Sequence, residues 1–286
     1  MIAASACAAE PADFSKVGSE EKIDYYFREP QKDGLAYRGM LSPYNSVGRA
    51  GNMMYPAPNA VGLIAAVLTH ALIADSAQKA AQNQAQQEAD KTLSPYQEVI
   101  HTINYEQLAM RALAKMSQNV TVRFIDKAAV VGNKSLVECS LAYAMSQDQT
   151  ALILENRMTI KAAANDVKKD RTLSVRVISP SLKEGKPEEL WTRNNGERLI
   201  ETSALLLAQS LQIGFLDVQN IHAPVDDAKP FQTVRYKEGS DERYERAQIV
   251  SNQCNRVLMR TLRGSYMLVP ASPISSDTQE EHCASL

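Results

Sequence analysis

Enzymatic or metal chemistry needs nucleophiles, acids, bases or ligands at workable spacing, and this chain offers few. Its thiols are Cys7, Cys139, Cys254 and Cys283, and its imidazoles are His70, His101, His222 and His282. Thiols this scattered make neither a disulfide framework nor a zinc site. There is no Gly-rich phosphate loop, no Gly-x-Ser-x-Gly elbow and no His-Glu-x-x-His. As a ligand or base His70 would need companions at helical spacing, and none stands there. His101 falls in a short capped helix, His222 opens a loop, and His282-Cys283 lies in a polar tail. Cys139 and Cys254 fall on apolar faces of their expected elements, where a thiol stays protonated and unreactive. Both read as small apolar packing groups, with a Cys139–Cys254 bridge as the alternative in an oxidising compartment. No catalytic residue, metal ligand or cofactor is therefore assigned.

Cys7 stands apart because of what precedes it. The run Ile2-Ala3-Ala4-Ser5-Ala6-Cys7 resembles the end of a bacterial lipoprotein signal, in which small residues lead to a cysteine that is acylated. A complete signal also has a positive start and roughly 7–15 apolar residues. Here that stretch is a stub, as it would be if the chain began inside the signal. Two other readings stay open: cleavage after Ala8, since Ala6-Cys7-Ala8 is small-x-small, and a frayed Ala-rich terminus of a cytosolic protein. The first reading places the protein in the periplasm, held at the outer or inner membrane by a lipid on Cys7.

Residues 1–8 are then a signal remnant, and 9–58 an irregular tether punctuated by Glu29-Pro30, Asp33-Gly34 and Ser42-Pro43. Its aromatics, among them Phe14, Tyr25, Tyr26, Phe27 and Tyr37, imply that parts of it pack on something. Asn59 caps a long helix over 59–93. The first half of that helix is apolar nearly all round, with Leu63, Ile64, Val67, Leu68, His70 and Leu72 as a candidate interaction surface. About 15 apolar residues fall short of the roughly 20 needed to span a bilayer. The segment therefore reads as a core helix, an interfacial or oligomer-packing helix, or a span.

Residues 94–271 read as an α+β domain. Short helices are expected over about 95–103 and 105–117, from the capping boxes at Ser94-Pro95-Tyr96-Gln97 and Asn104-Tyr105-Glu106-Gln107. Period-two alternation follows over 120–125, 136–145, 151–161 and 172–178, with Asn156 the one polar interruption on its apolar face. Glu155, Arg157 and Lys161 lie on the opposite face. Such alternation predicts an antiparallel meander of about four strands, with one face covered. A helix over about 194–214, a strand over 231–236, a helix over 241–263 ended by Gly264, and a strand over 266–269 complete the expected domain. The last helix rests on Ala247, Val250, Cys254, Val257 and Leu258, with acids at its start and arginines near its end. The expected fold is thus an antiparallel sheet covered by helices, and the polar tail 272–286 is expected to be disordered.

This order of elements, with Ala4-Ser5-Ala6-Cys7 in front and Thr150-Ala151-Leu152-Ile153-Leu154-Glu155 as a central strand, resembles small α+β periplasmic lipoproteins. The layout is similar to the amino-terminal domain of the Tol–Pal β-propeller protein and to the curli-secretion lipoproteins. Likeness of fold carries no functional residue. The expected function is a membrane-tethered, non-catalytic envelope protein acting on envelope proteins or on itself. The alternative is an enzyme or small-ligand binder with a pocket between sheet and helices, walled by Tyr143, His70 or Cys139. A cytosolic globular protein is the third possibility. A net charge of −2 gives no electrostatic case for nucleic acid.

Overall fold

The computed structural model describes residues 24–30, 35–40, 80, 83–116, 120–129, 134–163, 170–219, 230–253 and 255–271. In chain order, the first two strands are β1 (Asp24–Arg28) and β2 (Leu35–Gly39). Residues 83–90 are helical and run into a 3-10 turn, Lys91–Tyr96. Two short helices follow, α1 (Gln97–Thr102) and α2 (Tyr105–Ala114). The second starts as its capping box predicts, with the Asn104 side chain accepting from the Gln107 amide. Next come β3 (Thr121–Ile125), β4 (Ser135–Met145), β5 (Leu152–Lys161) and β6 (Arg171–Ile178). The long helix α3 (Pro187–Gln219) precedes β7 (Gln232–Glu238), β8 (Asp241–Gln253), β9 (Arg256–Thr261) and β10 (Tyr266–Pro270).

The strands form one sheet in the order β3-β1-β4-β5-β6-β10-β9-β8-β7, with β2 also paired to β4. β4, β5 and β6 are the antiparallel meander that the alternation predicts. The sheet as a whole is mixed, and this corrects the expected antiparallel meander covered by helices. β1 is parallel to both β3 and β4, β2 is parallel to β4, and β10 is parallel to β6. Both β1 and β2 come from the stretch read as irregular. They line up along one edge of β4, β1 beside Ser135–Glu138 and β2 beside Leu141–Met145. A parallel partner is remote in sequence and leaves no hairpin signal, so only its aromatics betrayed it.

The second correction concerns 241–263, which is a hairpin rather than a helix. β8 pairs with β7 along Asp241–Ala247 and with β9 beyond it, across an irregularity at Ile249/Ser251. Asn255 turns the chain with φ 56°, and Gly264, with φ 79°, sits in the turn into β10 rather than at a helix end. The charges that looked like helix-dipole partners pair instead across or near strands, Arg235 with Glu242 and Arg243 with Glu238.

The helices cover one face of the sheet. α3 packs on β5 and β6, with its Trp191, Leu199, Leu207, Leu211 and Phe215 all buried. It is long and apolar enough to cross a membrane by length and composition, yet it forms the centre of this core. Phe27 and Tyr25 of β1 join the same core, the Tyr25 ring tilted against Phe215 with centres 4.6 Å apart. On the other face a smaller core forms where Ala144, Ile153 and Ile178 meet Val234, Tyr236, Met259 and Val269. There the C-terminal strands curl over, and Tyr236 bridges to Ala271. Among the described residues the rest of that second face is mostly polar, with Leu136 buried in it.

Candidate functional site

Cys7, the lipidation candidate, and the apolar residues Leu63, Ile64, Val67, Leu68, His70 and Leu72 lie outside the described residues. Cys254 and Cys283, with His222 and His282, lie outside them too. His101 is exposed at the end of α1.

Cys139 and Tyr143 stand where strand parity puts them, on the helix-facing side of β4, and both are buried. Burial pushes the Cys139 thiol up to about 12, against the hydrogen bond from Asn156. It stays protonated at neutral pH. The Tyr143 hydroxyl donates to the Ser203 carbonyl at 2.8 Å, and Tyr37 donates to Ser203 Oγ at 2.9 Å. The two rings stack 4.9 Å apart. Tyr105 donates to the Cys139 carbonyl at 3.1 Å. Burial raises the pKa of all three phenols, so none is an acid or base near neutral pH. The Asn156 amide donates to Ser210 Oγ at 2.9 Å and lies 3.5 Å from Cys139 Sγ. These polar groups tie β2, β4 and β5 to α2 and α3. They are internal struts, engaged with one another and away from solvent.

A cleft of about 320 Å³ opens elsewhere, at a break in α3. Arg193 leaves helical geometry and Asn194, Asn195 and Gly196 take positive φ. Leu190, Arg193, Asn194, Glu197, Arg198 and Glu201 line the cleft. Glu197 and Glu201 are already held by Arg111 of α2, at 2.8 and 2.6 Å, so both acids of the cleft are paired. Among the described residues no group of three or more His, Cys, Asp or Glu is placed to hold a metal ion.

Two surfaces carry exposed side chains of the kind that binds. The outward face of β7 and β8 presents Thr233, Arg235, Lys237, Tyr244 and Arg246, with Phe231 beside it, and Tyr244 is 61% exposed. The open sheet face presents Arg123, Ser140, Arg157, Thr172 and Ser174, all exposed. Sequence reasoning placed Arg157 opposite the apolar face of β5. It missed that Arg28, Arg38 and Arg123 join it, because their strands are its neighbours only through the parallel pairs. It also missed the β7–β8 surface, having read that stretch as a helix.

No family model matches the chain, and no curated protein matches it.

Proposed function

We propose that this is a membrane-tethered, non-catalytic protein of the cell envelope, anchored through an acylated Cys7 and acting by contact with other proteins. The placement of the chemically capable side chains supports it most: Cys139, Tyr37, Tyr105 and Tyr143 are hydrogen-bonded struts of the core. What is offered to solvent instead is the outer face of β7 and β8, where Tyr244 stands among arginines. Tyrosine and arginine are the residue types that anchor protein interfaces. The small residues before Cys7 supply the address.

The test is mass spectrometry of the full-length native protein, with a photo-crosslinking side chain placed at Tyr244. The expected result is an acyl mass on the Cys7 peptide and a discrete crosslink to an envelope protein or to a second copy. An unmodified Cys7 in a polypeptide recovered from the cell interior would overturn the anchor. A Tyr244 that crosslinks to no protein would overturn the contact surface.

A further inference from the structure

The sheet face opposite the helices is charged in a one-sided way. Strand alternation sends Arg28 of β1, Arg38 of β2, Arg123 of β3, Arg157 and Lys161 of β5 and Arg176 of β6 to this side. The exposed Lys134 adds a seventh cation, its Nζ 5.7 Å from the ring centre of Tyr26. Against them stand Glu138, held by Arg28 and Lys161, and Glu155, held by Arg38 and Arg176, with the buried Glu238 at the rim. Each carboxylate here is shared between cations, so the described side chains leave a surplus of positive charge. Arg123 and Arg157 are exposed and have no ion pair among the described residues. Arg157 lies in register between Ser140 and Ser174, which are exposed hydroxyl donors.

The opposite side of the molecule is close to balanced. The segments of α1, α2 and α3 contain seven carboxylates (Glu98, Glu106, Glu188, Glu189, Glu197 and Glu201, with Asp217) and three arginines, and Lys115, Lys186 and Arg171 pair with Glu201, Glu189 and Asp217. The positive surplus of the described side chains is thus gathered on one face, and such a distribution orients a protein at a charged plane. Among the described residues, the large exposed hydrophobic side chains are Met110, Leu216, Phe231, Tyr244, Val250 and Leu262, and none lies on the basic face. Protein interfaces centre on buried aromatic or apolar anchors; a broad spread of cations and hydroxyls without such a centre suits a diffuse anionic plane.

We propose that the open face of β3, β1, β4, β5 and β6 lies against an anionic lipid bilayer, its cations on the lipid phosphates. The inference shares the envelope setting of the proposed function and not its acylated thiol. The test therefore uses the full chain with Cys7→Ser, which carries no acyl group, and vesicles of phosphatidylcholine with phosphatidylglycerol or of phosphatidylcholine alone. Binding to the anionic vesicles alone, falling as salt rises, is the expected result. The double reversal Arg123→Glu with Arg157→Glu should weaken it by about tenfold or more, while Arg235→Glu on the β7–β8 surface should not. Unchanged Trp191 fluorescence would show that the variants are folded. Equal binding to both vesicles, no binding, unaltered binding by the double reversal, or preference for a polynucleotide over the anionic vesicles would each overturn the proposal. Acylation of native Cys7 is read separately by its mass, so either idea can fail without the other.

Discussion

Asn156 shows how strand parity and hydrogen bonding compete at one residue. It interrupts the apolar face of β5 and is 1% exposed. Its amide nitrogen reaches Ser210, but Oδ1 has no partner among the described residues. An unpaired buried acceptor costs about 1–3 kcal/mol. Asn156→Leu removes that acceptor and leaves Ser210 bonded to the Leu207 carbonyl at 2.8 Å. The variant should therefore be as stable as the parent to within about 1 kcal/mol, or more stable. Asn156→Ala also empties volume and should lose about 1–3 kcal/mol. Denaturant unfolding followed by Trp191, the chain's one tryptophan, measures both. A loss for Leu as large as for Ala would mean that Asn156 stabilises the core. The polar interruption was visible in the sequence, and so was the inertness of Cys139, because both follow from alternation within one strand. The partners Ser203 and Ser210 were not visible, since they arrive from a helix some fifty residues away in the chain.

At the scale of elements, α3 bends because one turn of it is left-handed. Asn194, Asn195 and Gly196 hold φ of 53°, 56° and 77°. A Cβ on Gly196 would overlap Val99 of α1, so glycine is required there twice over, by conformation and by contact. Gly196→Ala should destabilise by about 2–4 kcal/mol, from overpacking plus the left-handed penalty. Asn195→Gly should be neutral or stabilising by a few tenths of a kcal/mol, roughly the residue's αL cost. Thermal unfolding of the two variants checks this, and a tolerated Gly196→Ala would refute the close packing of α1 on the break. Gly39 is a similar case, where a Cβ would overlap the Ala89 carbonyl and part β2 from the helical segment 83–90. The Gly39 amide donates to Asp90 Oδ1 at 2.7 Å. Element type was legible wherever alternation was strict, as in β4, β5 and β6. It failed over 241–263 because Ala247, Val250, Cys254, Val257 and Leu258 fit a helical stripe as well as a strand. What decides in favour of strands is the pairing of β8 with β7 and β9, which no local window contains.

Across the whole molecule, Asp148 ties the two halves of the sheet together. It stands in the β4–β5 turn and accepts from Ser146 Oγ at 2.7 Å, from Thr150 Oγ1 at 2.8 Å and from the Ser240 amide, in the β7–β8 turn, at 2.7 Å. Gly239, with φ 67°, lets that turn approach, since a Cβ there would overlap the Asp148 carboxylate. Burial acts against the charge of Asp148, but the hydrogen bonds from Ser146, Thr150 and Ser240 outweigh it and hold the carboxyl below the usual aspartate range. The folded state then binds its proton less readily than the unfolded chain does, so stability rises with pH in the window between the two values. The contribution is complete above the unfolded aspartate value of about 3.9 and is lost as pH falls through the lower, folded value. Asp148→Asn should be less stable than the parent at neutral pH, and the gap should narrow on acidification through that window. Denaturant midpoints measured from pH 7 to pH 3 give the comparison, and a constant gap would rule out the carboxylate as the tie.

The chain's local pattern determined which side chains of β4, β5 and β6 face inward, where α2 begins, and that Cys139 would be absorbed by packing. Those properties depend on neighbours two to four residues apart. Tertiary structure decided the parallel insertion of β1 and β2, the hairpin in place of a helix, and the gathering of cations from five strands on one face. Each of these depends on strands that meet only when distant parts of the chain close on one another, and backbone pairing across a sheet leaves no periodic trace in either partner alone.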